Sequence, residues 1–290
     1  MMTTINSLPA ILVEPVVRSA LLEDLGRAGD ITTDAVVPAA TVMEGAVTAR
    51  EAGTIAGTDA AVLAFRLLDP EIECQVERPD GTRVAPGDVV MCVTGPARPI
   101  LSAERVALNL LCHLSGVATA TAALVDAVRP YRAGITCTRK TTPGLRALEK
   151  HAVRAGGGSN HRFGLDDAVL IKDNHTAVAG GIRQAIERAR ASVGHLVKIE
   201  VEVDTLAQLE AALAAGPDAV LLDNMTPDQL RDAVKLTDGR AITEASGRVT
   251  LDTAPKIAAA GVDLISVGSI THSAPCLDLG LDVRDRTTVI

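Results

Sequence analysis

Lys198-Ile199-Glu200-Val201-Glu202-Val203 is the segment on which the fold of this 290-residue chain turns. Successive side chains of a β-strand point to opposite faces, so Lys198, Glu200 and Glu202 share one face while Ile199, Val201 and Val203 share the other. The segment sits in a strand-then-helix rhythm that begins near residue 117. Strands are expected at 135–138, 168–172, 199–203, 219–222, 241–245 and 264–267, with helices at 143–153, 182–191, 206–215, 227–234 and 253–260. Consecutive βα units with apolar strands call for a parallel sheet, either doubly wound or closed into a barrel. A strand covered by helices on both faces has no place for three charges on one side. A barrel strand can turn them towards a polar interior, so the barrel is preferred, with Glu200 expected to pair with Lys198 inside it.

Upstream the pattern differs. A helical run at 9–25 is followed by short β-branched runs at 42–50, 72–77 and 89–93, a helix at 58–68 and a turn at Pro79-Asp80-Gly81-Thr82, which together read as an α+β domain over residues 1–114. The length suits two domains, the second running over 115–274. Hydrophobic residues make up 47% and charged residues 22%, which excludes a disordered or fibrous chain. Net charge is −8 and there are only three aromatic residues (Phe65, Tyr131, Phe163), so neither the positive field nor the stacking platform of a nucleic-acid binder is present. The five cysteines are scattered without a C-x-x-C pair, and the first residues lack a basic-then-apolar leader. The most apolar stretch, 106–128, is broken by Asn109, His113, Ser115 and Asp126. A cytoplasmic protein with reduced thiols, off the membrane, is expected.

Active sites of α/β barrels lie at the C-terminal ends of the strands. This sequence places polar groups there in all six units: Arg139-Lys140, Lys172-Asp173-Asn174-His175, Glu202 with Asp204, Asp223-Asn224, Glu244-Ala245-Ser246-Gly247, and Val267-Gly268-Ser269 with His272 beyond. Arg139, Lys140, His161, Arg162 and Lys172 form a cationic set suited to a polyanionic small molecule. Glu202 and Asp223 suit a divalent metal or sugar hydroxyls. Gly156-Gly157-Gly158 either lets backbone amides approach an anion or simply ends a helix. No phosphate-binding P-loop, G-x-G-x-x-G, H-E-x-x-H or G-x-S-x-G motif occurs, and no lysine precedes Lys140, which excludes a lysine-linked prosthetic group in the first domain.

Taken together, Thr138-Arg139-Lys140-Thr141-Thr142-Pro143-Gly144-Leu145-Arg146, Gly156-Gly157-Gly158 with Asn160-His161-Arg162-Phe163-Gly164-Leu165, and Leu170-Ile171-Lys172-Asp173-Asn174-His175 resemble the quinolinate phosphoribosyltransferase family. Ser102-Ala103-Glu104-Arg105 through Asn109, Glu200-Val201-Glu202-Val203, Leu221-Leu222-Asp223-Asn224 and Ser246-Gly247 extend the resemblance over nearly the whole chain. It implies an α/β fold with an N-terminal α/β sandwich, joined by the tail 275–290, and an incomplete barrel of about six units. The implied reaction takes quinolinate and phosphoribosyl pyrophosphate to nicotinate mononucleotide, pyrophosphate and carbon dioxide, with Mg2+. By the same resemblance, Thr138, Arg139, His161, Arg162 and Lys172 hold quinolinate, with Arg105 reaching the site from a second subunit. That role implies a homodimer, and a hexamer satisfies it equally. Lys140, Glu202 and Asp223 are the implied catalytic groups at the phosphoribosyl donor, Glu202 and Asp223 also holding the metal. Ser246, Gly247, Arg248, Val267, Gly268, Ser269 and His272 complete the donor site, although Arg248 stands where a small residue is expected in many relatives. A transferase for another anionic acceptor and a non-catalytic barrel sensing a phosphorylated metabolite are the competing readings. The loss of Glu202 or Asp223 would favour the sensor, and both are present.

Overall fold

The computed structural model describes residues 6–284. The tail positions 285–290 and the first five residues, where no leader was expected, lie outside the described residues. Elements are numbered in chain order. The first part holds α1 (Ala10–Leu25), α2 (Ile31–Val36), β1 (Val42–Ala49), β2 (Gly53–Thr54), α3 (Thr58–Leu68), β3 (Glu73–Val76), β4 (Arg83–Val84), β5 (Val89–Pro96) and α4 (Ala97–Val128). There follow β6 (Gly134–Thr136), α5 (Arg146–Ala155), β7 (Val169–Ile171), α6 (Asp173–Ala179), α7 (Ile182–Ser192), β8 (Ile199–Val203) and α8 (Leu206–Ala215). The last are β9 (Ala219–Asp223), α9 (Pro227–Thr237), β10 (Ile242–Ser246), α10 (Ala254–Ala258), β11 (Leu264–Ser266), α11 (Ser269–His272) and β12 (Leu279–Val283).

The described residues form two compact units, one from 6–122, 142–157 and 270–284, the other from 123–141 and 158–269. In the first, β12, β1, β5 and β3 form an antiparallel sheet in that order, so the strand formed by the tail lies against β1 over Gly45–Ala49. The Pro79–Thr82 turn forms as expected, Thr82 N–H donating to Pro79 O at 3.0 Å. Its Asp80 carboxylate then caps α3, accepting from Gly57 N at 2.9 Å and from Thr58 N and Oγ1, and meets His151 Nε2 of α5 at 2.8 Å. Burial alone would push Asp80 up, but these hydrogen bonds outweigh it and hold the carboxyl below its ordinary value. His113 and His151 are both structural partners of carboxylates, Glu149 and Asp80.

In the second unit all six strands are parallel, in the order β6-β11-β10-β9-β8-β7. The first strand of the series pairs with the last, as in a barrel, while β6 and β7 do not pair. Ser159 lies beside β6 instead, its N–H donating to Ile135 O at 2.8 Å and its O accepting from Cys137 N. The sheet is therefore an incomplete α/β barrel, open between its first and second strands.

Two expectations are corrected here. The helix after β6 does not belong to the barrel's unit: α5 buries Leu148, Ala152 and Val153 in the first unit, where it packs on α1. Lys198 does not pair with Glu200, because it precedes β8, is exposed, and bonds Asp218 Oδ1 at 2.6 Å at the N-terminal edge of the sheet. Only Glu200 and Glu202 remain on the inward row. Gly156 is the C-cap of α5, its N–H bonding Ala152 O at 2.9 Å, which answers the question left open for the glycine run at that position. None of the five cysteines forms a disulfide. Helix α4 is long and apolar enough to cross a membrane, yet 61% of its apolar window is buried inside the protein, as in a core helix.

Candidate active site

Because every barrel strand runs the same way, their C-terminal ends meet at one rim, and a cavity of about 250 Å³ lies there. It is lined by Thr138, Arg139, Lys140, His161, Arg162, Lys172, Glu202, Asp223 and Ser246, all expected there, by Glu244, which the strand-end pattern placed at this rim without a role, and also by Ser266, Leu170 and Leu221. The inward alternation along β10 points Glu244 and Ser246 the same way, as it does Glu200 and Glu202 on β8. Gly247, Arg248, Val267 and Gly268 stand in the adjoining loops and Ser269 begins α11, and none of them lines the cavity. Arg105, exposed on α4, and His272, whose Nδ1 lies 2.6 Å from Ser273 Oγ, belong to the first unit.

The loop after β6 is held amide by amide: Lys140 N–H donates to Thr138 Oγ1 at 3.0 Å and Thr141 N–H to Arg139 O at 2.9 Å. Lys172 Nζ bonds Glu202 Oε2 at 2.7 Å, joining the ends of β7 and β8. The Lys172 N–H donates to His175 Nδ1 at 2.9 Å, a capping interaction that starts α6 where the sequence suggested a loop. Arg162 is fixed by Nη1 on Ala168 O at 2.9 Å, while its Nε is buried with no hydrogen-bond partner. Burial first, and Arg139 beside it second, lower the affinity of this guanidinium for its proton. A buried guanidinium donor without an acceptor, next to a second arginine, is a receptor for an anion.

Beneath these cations lies a second layer. His161 Nε2 is 3.0 Å from Glu200 Oε2 and 3.5 Å from Glu244 Oε1, and its Nδ1 accepts the Arg162 N–H at 2.7 Å. Glu200 Oε1 and Glu244 Oε1 are buried without hydrogen-bond partners. Burial, and the Glu200 charge beside it, push Glu244 up to about 7. Among the described residues, His161, Glu200 and Glu244 are the group close enough to share a metal. The chemistry of the ring argues against one, since a metal-bound histidine donates its other N–H, whereas here the other nitrogen accepts. His161, which the resemblance assigns to the substrate, lines the cavity while its ring nitrogens also meet protein groups.

Glu202 and Asp223 differ from that buried trio. They stand on adjacent strands at the cavity, Glu202 opposite Leu221 and Asp223 opposite Ser246 in the register. Such hard oxygen donors fit Mg2+, which is commonly held by one or two carboxylates together with substrate phosphates. Next to them Asn224 and Arg248 adopt left-handed backbone (φ 53° and 43°), and a Cβ on Gly247 would sit 2.3 Å from Asn224 Oδ1, so the two loops interlock.

Comparisons with known proteins identify the relatives of this chain. The models of the N-terminal and C-terminal domains of quinolinate phosphoribosyl transferase match residues 30–115 and 117–282. The carboxylating nicotinate-nucleotide pyrophosphorylase of Mycobacterium leprae is 49% identical over 274 residues, covering 92% of this chain and 95% of that protein. A decarboxylating quinolinate phosphoribosyltransferase of Nicotiana tabacum is 39% identical, covering 95% and 83%. Among solved structures, NadC from Streptococcus pyogenes superposes with a TM-score of 0.92 at 41% identity, covering 97% of this chain and 100% of that one. The nicotinate-nucleotide pyrophosphorylase of Francisella tularensis superposes at 0.93 and 38%, covering 98% and 100%. With both domain models matched in order and relatives this similar over almost their full length, the chain belongs to the quinolinate phosphoribosyltransferase family.

Proposed function

We propose that this chain transfers the phosphoribosyl group of phosphoribosyl pyrophosphate to quinolinate with decarboxylation, giving nicotinate mononucleotide, pyrophosphate and carbon dioxide in NAD biosynthesis. The observation that carries the reading is the meeting, in one cavity of a chain of net charge −8, of Arg139, Arg162 and Lys172 with Glu202 and Asp223. Quinolinate is a dianion, and the three cations match its two carboxylates. Thr138 borders the same pocket, and Lys140 faces the pyrophosphate end of the donor. Glu202 and Asp223 hold the ribose hydroxyls and Mg2+, which when bound neutralises the leaving pyrophosphate. The 5′-phosphate lies against the loops at 246–248 and 267–269.

As pyrophosphate departs with the bonding pair, positive charge develops on the ribose carbon, and the Glu202 carboxylate stabilises it electrostatically. The pyridine nitrogen closes the new bond and becomes cationic. Carbon dioxide then leaves the adjacent carbon, whose electron pair is stabilised by that nitrogen until a proton from water is added. The protein supplies position and dry charge, with no covalent nucleophile. We further assign a homodimer in which the partner subunit completes the site, and a cytoplasmic location in keeping with five cysteines that form no disulfide.

The deciding assay supplies phosphoribosyl pyrophosphate, Mg2+ and either quinolinate or nicotinate, and measures nicotinate mononucleotide and carbon dioxide together. Equal amounts of both from quinolinate support the reading. Reaction with nicotinate alone, or binding without turnover, overturns it in favour of another acceptor or a sensor. Arg139→Ala is expected to raise the quinolinate KM by about tenfold or more with little change in thermal stability, since removing one charge-assisted hydrogen bond is worth that much.

A further inference from the structure

We propose that Asn224 is a positioning residue for Asp223 and ties that carboxylate to the loop after β10, so that two parts of the donor site are held as one piece. The inference rests on the reading of Glu202 and Asp223 as the donor side of the cavity. Asn224 Nδ2 donates to Asp223 Oδ2 at 2.6 Å. A side-chain amide has one donating and one accepting end, and only the donating end can face a carboxylate, which fixes which way round the group sits. One oxygen of Asp223 is thereby engaged, and the other is left to the cavity that the residue lines. A carboxylate free to turn meets a divalent cation in many orientations, whereas one held at Oδ2 meets it in few.

The same residue holds the neighbouring loop. Asn224 N–H donates to Ser246 O at 2.9 Å, directly beyond the pairing of Asp223 with Ser246 that ends the β9–β10 ladder. Its backbone is left-handed, at φ 53°, a conformation that asparagine adopts more readily than most side-chain-bearing residues. That turn lays the amide over Gly247, where a Cβ would come within 2.3 Å of Asn224 Oδ1 and 2.9 Å of its amide carbon. The asparagine therefore sits where it does only because position 247 has no side chain. Asn224 is exposed and contributes nothing to the core, which leaves the geometry of the rim as its role.

Two substitutions separate the side chain from the backbone. Asn224→Gly keeps the left-handed backbone and its bond to Ser246 while deleting Nδ2, and Asn224→Ala deletes the same group but adds backbone strain. Both variants are expected to raise the KM for phosphoribosyl pyrophosphate and the half-saturating Mg2+ concentration by about tenfold, the loss of one hydrogen bond to a charged group. The quinolinate KM should stay within about twofold of the parent, and only the alanine variant should melt lower. Calorimetric titration with the Mg2+ complex of phosphoribosyl pyrophosphate reads the same loss of affinity without turnover. Donor binding like the parent's in Asn224→Gly overturns the proposal, and so does a loss shared equally by quinolinate. If the alanine variant fails to fold, the glycine variant decides alone. A parent protein that binds no donor overturns the proposed reaction and this role with it, whereas a binding parent with an unaffected glycine variant overturns this role alone.

Discussion

Glu244 shows how one buried carboxyl ties the barrel's polar interior to its stability. It is 3% exposed, and burial together with the neighbouring Glu200 raises it to about 7, well above an unfolded glutamate near 4.3. Between those two values the folded protein binds a proton that the unfolded chain has released, so stability falls as pH rises through that window. Below it Glu244 is neutral in both states and no penalty exists. Glu244→Gln, neutral at every pH, is therefore expected to match the parent near pH 4 and to become the more stable protein by pH 8, as read from urea unfolding at both. Parallel curves across the range would show that Glu244 is ionised in the fold. The sequence disclosed this residue's face by alternation but not its environment, because the partners Glu200 and His161 arrive from different elements. Lys198 misled for the mirror-image reason. It continues the alternation by one residue, yet the strand begins at Ile199, and a lysine at the rim finds Asp218 and solvent more cheaply than a buried glutamate.

At the scale of elements, the strands and most barrel helices were legible because a period of two and a period of 3.6 residues alternate cleanly, and α8 lies where the pattern put it. Helix α4 was less legible. It is buried over much of its circumference, which erases the polar stripe that marks a surface helix, so only its apolar stretch stood out. The allegiance of α5 was not legible at all, since chain order places it after a barrel strand and only tertiary packing draws it to the first unit. Its attachment there depends on Gly156. A Cβ at that position would lie 2.4 Å from Ala118 O and 2.6 Å from Thr121 Cβ, and a helix carbonyl of α4 has no room to yield. Gly156→Ala should force α5 off α4 at a cost of about 2 kcal/mol, typical of overpacking, seen as a lowered melting temperature. Gly194→Ala, with nothing within 4 Å of the added carbon, is the control expected to melt with the parent. Equal melting of both variants would contradict the close approach of α4 and α5.

For the whole molecule, the net charge of −8 and the local cations pull in opposite directions. A dianionic acceptor and a polyphosphate donor are repelled at long range, and are held only where Arg139, Arg162 and Lys172 converge. The cavity described within the barrel's unit contains those three, while Arg105, the fourth cation implied for the acceptor, stands exposed on α4 of the first unit. In the proposed homodimer the second subunit provides it. Arg105→Ala and Lys172→Ala homodimers are then each expected to be nearly inactive, for every site lacks one group. If subunits of the two are unfolded, mixed in equal amounts and refolded, half of the dimers pair one of each. In such a dimer one site combines both lesions and the other has Lys172 from one chain and Arg105 from its partner, fully intact. Random pairing therefore predicts recovery of roughly a quarter of the parent activity from two inactive proteins, a result that a site confined to one chain cannot produce. Activity remaining at the level of the separate variants would place Arg105 outside the site and leave the barrel rim to bind the acceptor with its own three cations.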